Sequence, residues 1–96
     1  MAAPKRLSAT EKKRLERLVV KGLEERQIKA KVDLEPSGLP GRYRLYAVSS
    51  SFAKLSEAER QDILWRVLKE QWSRSDQLRI TLSVALTDKE AQGTWS

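Results

Sequence analysis

From Leu78 to Leu86 the chain alternates: Leu78, Ile80, Leu82, Val84 and Leu86 are separated by Arg79, Thr81, Ser83 and Ala85. Successive side chains of a strand point to opposite faces, so a period of two marks a β-strand with one apolar face. That face must be buried against another layer, so the run demands a sheet and something packed on it. The alternation predicts Leu82, Val84 and Leu86 facing inward, with Arg79, Thr81 and Ser83 outward.

Two shorter runs repeat the pattern. Ile28, Ala30, Val32 and Leu34 alternate with Lys29, Lys31 and Asp33. Over Arg42–Ser49, Tyr43, Leu45 and Ala47 share one side and Arg44, Tyr46 and Val48 the other. The stretch between them, Glu35 to Gly41, is rich in Pro and Gly, which fix or relax φ, and it joins the strands as a hairpin. Within it, Gly38-Leu39-Pro40-Gly41 matches the G-x-x-G of backbone-clamping loops. Pro40 removes one amide donor from it, so a plain turn is the better reading.

The period changes to helical twice. Ser8-Ala9-Thr10-Glu11 fits a capping box, with Thr10 as an alternative cap, and Leu15, Leu18, Val19 and Leu23 follow at helical spacing. This predicts a helix over 9–25, weakened slightly by Gly22. Ser56-Glu57-Ala58-Glu59 is a second capping box, ahead of a stripe of Ile63, Leu64, Val67 and Leu68. Phe52 plugs the joint before it. Residues 73–77 break the pattern, and 87–92 have the character of a short closing turn.

The order is therefore α-β-β-α-β with a terminal turn. It predicts a two-layer α/β domain over residues 9–92, with both helices on one face of a three-stranded mixed sheet. Residues 1–8 and 93–96 are expected to be tails, although Trp95 has the character to dock. The exposed sheet face is expected to be mixed and polar, with Lys29, Lys31, Arg44, Tyr46, Val48, Arg79, Thr81 and Ser83, and open to water or a partner.

At this point the chain resembles the BolA family, over roughly residues 10–92. Phe52 stands at the end of the loop after the second strand and Arg60 eight residues on, as in the family motif. Ile80-Thr81-Leu82-Ser83 fits the family's third-strand frame, and Thr87-Asp88-Lys89-Glu90 its acidic closing turn. The resemblance implies a fold similar to class II KH domains and, for some members, DNA binding. The chain departs where Lys54 replaces a usual Gly, Gln61 the His after Arg60, and Ile80 the hallmark His. The family's iron–sulfur ligands are thus missing, and a glutaredoxin partnership is not expected to carry over.

Composition narrows the chemistry. There is no Cys and no His. Disulfides, thiolate or imidazole ligation and imidazole catalysis are excluded, so no metal or cofactor is expected. No pair of carboxylates is forced together for acid–base work, and the expectation is a cytosolic, non-enzymatic protein with no membrane attachment. The formal net charge is +6. Residues 1–31 hold ten Lys and Arg against four Glu, so this third carries the whole excess. A basic surface attracts polyanions. The candidate nucleic-acid-binding residues are Lys12, Lys13, Arg14, Arg17 and Lys21, with Lys54 and Arg60 near the second helix. The competing expectation is a protein partner held by Trp65, Trp72 or Tyr46, since aromatic residues are enriched in interfaces.

Overall fold

The computed structural model describes residues 7–95, with side chains to residue 93. Lys5 and Arg6 of the basic third, most of the expected N-terminal tail, Ser96 and the side chain of Trp95 lie outside the described residues.

Helix α1 (Ala9–Glu24) starts where Ser8 accepts the Glu11 amide and Glu11 accepts the Ser8 amide, so Ser8 rather than Thr10 is the cap. Strand β1 (Lys31–Pro36) and strand β2 (Tyr43–Val48) form the antiparallel hairpin, with Leu34 opposite Leu45. Gly38 and Gly41 both adopt positive φ in the connecting loop, which is why the G-x-x-G lies there. A 3-10 turn (Ser50–Lys54) buries Phe52 completely and leads into helix α2 (Glu57–Gln71), capped by Ser56. The break at 73–77 is a short helix, α3 (Arg74–Gln77), capped by Ser73. Strand β3 (Ile80–Leu86) then runs parallel to β2, and helix α4 (Asp88–Trp95) follows. The sheet order is β1-β2-β3. Gly93 and Trp95, expected in a tail, belong to α4.

The core lies between α1, α2 and the sheet: Leu15, Val19 and Leu23 meet Leu34, Leu45 and Ala47, with Leu64, Val67 and Leu68 closing it. Two features of α1 shape this layer. Gly22 brings α1 close to α2, since a Cβ there would stand 2.6 Å from Val67 Cγ1. The helix ends with Gln27 at φ 63° and the Ile28 amide bonded back to the Leu23 carbonyl, a left-handed cap in which Gly is the usual residue.

The inward phase expected for β3 is overturned. Ser83 and Ala85 face the helices and are buried, while Leu82 is 51 % exposed on the other side. The register gives the reason. Tyr43 pairs with Ile80 and Arg44 with Leu82, so Thr81 is an extra residue, a β-bulge that reverses the alternation after Ile80. The small Ser83 and Ala85 then lie under α2. Leu82, Val84 and Leu86 share the open face with Arg44, Tyr46 and Val48, so that face is more apolar than the mixed, polar surface expected. Arg79, also expected there, precedes the strand, half-buried and ion-paired with Asp76 at 3.3 Å.

Both borders of the sheet are occupied by helix side chains. At the β1 border the Leu34 amide donates to the Glu16 carboxylate at 2.7 Å. On β3, the Leu86 carbonyl faces β2 and accepts the Ser49 amide, so by alternation the Ser83 and Ala85 carbonyls face outward. Gln61 donates to the first at 2.9 Å and Arg60 to the second at 3.3 Å. The Ser83 hydroxyl returns a bond to Gln61 Oε1 at 2.8 Å.

Candidate nucleic-acid interface

Helical periodicity alone places the basic residues of α1. At ~100° per residue, Lys13, Arg17, Lys21 and Arg14 fall within an arc of about 100°. The opposite side of the same helix holds Leu15, Val19 and Leu23, which are buried, so the arc faces solvent. All four cations are exposed. None of them has an ion-pair partner among the described residues. Lys13–Arg17 and Arg17–Lys21 are like-charge pairs four residues apart, each costing a few tenths of a kcal/mol, on the order of 0.2–0.5. Glu24 and Glu25 bound the stripe at its C-terminal end.

Lys12 stands at the edge of this surface, half-buried and 3.9 Å from Asp33. Asp33 adjoins Glu16. Burial pushes the Glu16 carboxyl above its ordinary value of 4.5 and the Asp33 carboxyl adds to that, against the Leu34 amide and Lys12, which pull it down. Lys12 thus serves this acidic pair, a juxtaposition of carboxylates not expected from the sequence, and the free positive field of α1 comes from the other four cations.

The remaining sequence candidates separate. Lys54 is exposed, but on the 3-10 turn ahead of α2 rather than on α1. Arg60 is 8 % exposed and is withdrawn from phosphate. Its Nε donates to the carbonyls of Phe52 and Leu55 at 2.9 and 3.1 Å, and its Nη1 meets Ala85 O and the Glu90 carboxylate, the latter at 2.8 Å. It ties the 3-10 turn, β3 and α4 together. A bidentate planar cation suits such a junction of carbonyls, where Lys would not. Trp72 is also withdrawn, from partner binding: it is 4 % exposed, and its indole N–H donates to the Leu15 carbonyl at 3.0 Å under α1. Trp65 is half-buried against the core. Tyr46 is half-buried on the open sheet face.

Sequence reasoning missed the apolar side of that face. Leu82, Val84 and Leu86 extend it beside Tyr46 and Val48, and a groove of about 970 Å³ runs between the charged end of the face and α4, past Lys31, Asp33, Tyr46 and Ala91. The small size of Ser83 and Ala85, alternating with larger residues, was the signal available for the true phase.

Among the described residues no cluster of three or more acidic side chains is placed to hold a metal ion, and no helix is long and apolar enough to cross a membrane. No protein-family model matches the chain, and no curated protein matches it either.

Proposed function

We propose that the chain is a non-enzymatic, cytosolic module that binds nucleic acid through the exposed basic face of α1. The observation that carries this reading is the set of Lys13, Arg14, Arg17 and Lys21 on one solvent-facing arc without ion-pair partners among the described residues. Such cations contribute affinity by releasing counterions from phosphates. Neighbouring like charges cost the isolated helix stability, and a polyanion relieves that cost on binding. The α-β-β-α-β order that a BolA resemblance implies, with its KH-like character, agrees with the reading. Replacing the four cations with Gln should abolish most binding to DNA or RNA while leaving the far-ultraviolet dichroism intact and the melting temperature equal or slightly higher, since two like-charge pairs are removed. A variant that binds as the parent does would end the proposal.

A second reading, a surface for a protein partner, is favoured by the reversed phase of β3. It leaves Leu82 half-exposed beside Val84 and Leu86. Leu82→Glu would weaken that association and leave nucleic-acid binding unchanged.

A further inference from the structure

The architecture around α1 specifies more than charge. Resting on the reading above, we infer that α1 recognises the phosphate backbone of a duplex, in preference to a single strand and without reading base sequence.

Three observations lead there. The first is charge density. Lys13 and Lys21 are eight residues apart, about 12 Å along the helix axis. A duplex presents one charge per ~1.7 Å of axis, counting both strands, and a strand one per ~3.4 Å, so over that span a duplex carries about seven phosphates and a single strand about half as many. A rigid row of point charges gains most from the denser array.

The second is that the basic arc itself offers no stacking surface. Proteins that hold single strands combine a basic groove with aromatic side chains on which bases stack. The exposed arc of α1 is convex and carries no aromatic residue. The nearest indole, Trp72, lies beneath the helix with its N–H committed to the Leu15 carbonyl. Tyr46 stands on the far face of the sheet.

The third is that both flanks of α1 are taken. A helix reads bases by entering the major groove, about 12 Å wide, which a helix about 10–12 Å across fills. On one side Gly22 lets α2 approach so closely that a Cβ would meet Val67 Cγ1 at 2.6 Å. On the other, Glu16 is bonded to the β1 border through the Leu34 amide. Held this way, α1 offers only its outer arc, which lies along the phosphates and stops where Glu24 and Glu25 begin.

The test is fluorescence anisotropy with the full chain, two duplexes of unrelated sequence, and one unstructured single strand of equal length, between about 50 and 200 mM salt. The expected result is duplex binding at least about threefold tighter than single-strand binding, equal for both duplexes, with a log–log salt slope near −3.6 for four phosphate contacts. A duplex advantage below about threefold, or one duplex preferred by more than about threefold, overturns the inference while leaving the proposed function standing. No binding of either nucleic acid at the low-salt end overturns both. So would tighter binding to phosphatidylserine vesicles than to duplex.

Discussion

Substituting Gly22 by Ala tests how closely α1 and α2 are packed. In an isolated helix the change is favourable by about 1 kcal/mol, because Ala is the better helix former. Here the added methyl would stand 2.6 Å from Val67 Cγ1 and 3.2 Å from Gln71 Cγ. Carbon atoms pack best at about 3.5–4.0 Å, so the contact with Val67 is about 1 Å too short. The Gln71 side chain can swing aside. Val67 cannot, because it is fully buried and a β-branched side chain in a helix has one strongly preferred rotamer. The helices must part, and overpacking of this kind costs about 1–3 kcal/mol. Since the obstruction is stiff, the upper part of that range applies, and the net loss is about 1–2 kcal/mol. For a domain of this size that lowers the melting temperature by roughly 5–10 °C, measurable by circular dichroism. Two controls sharpen the experiment. Gly93→Ala, in α4 with open space around it, should be neutral or slightly stabilising. Combining Gly22→Ala with Val67→Ala should cost less than the sum of the two by about 1 kcal/mol, since the smaller side chain removes the clash. A melting temperature that rises on Gly22→Ala, or strict additivity in the pair, would refute the packing argument.

Other substitutions follow from the same geometry. Arg60→Ala leaves the Ala85 carbonyl without its side-chain donor and the Phe52 carbonyl with the Leu55 amide alone, and should cost about 2–3 kcal/mol in urea denaturation, with Arg60→Lys recovering little because ammonium cannot fork between them. Gln27→Gly relieves a left-handed residue and should gain about 0.5–1 kcal/mol, seen as a higher urea midpoint with an unchanged slope. Acid titration has a definite sign. Folding lowers Glu11 and Glu59 through the backbone bonds at Ser8 and Ser56, and Glu90 through the Thr87 amide and then Arg60, so what they contribute is present above the ordinary value of 4.5 and is lost as pH falls below it. Glu16, raised by burial, acts oppositely: just above 4.5 the folded state holds its proton more firmly, and stability declines as pH rises through that window. Glu16→Gln removes only this opposing contribution, so the variant's melting temperature should rise relative to the parent's between pH 4.5 and neutrality.

What could be read from the sequence was whatever rests on local rules. The Ser8 and Ser56 capping boxes and the inward residues of the hairpin depend only on neighbours a few positions away, and each is found where those rules put it. The phase of β3 depends on a single extra residue at Thr81, and alternation beyond a bulge carries no memory of the side it started on. Arg60 and Trp72 misled for another reason. Their surroundings are carbonyls contributed by Phe52, Ala85 and Leu15, groups that every residue possesses and that no pattern of side chains advertises. Gln61 belongs with them. Its amide serves the outward carbonyl and the hydroxyl of Ser83.

Glu16 at one margin and Arg60 with Gln61 at the other have a consequence for the protein's solubility. A bare marginal strand is an invitation to zipper onto another molecule and begin a fibril, and β3 has no Lys or Pro of its own to refuse it. Here the adjoining layer takes three of the groups another chain would seek, the Leu34 amide and the Ser83 and Ala85 carbonyls. Any lesion that frees those groups, even one too mild to unfold the domain, therefore leaves a margin open to pairing with another chain.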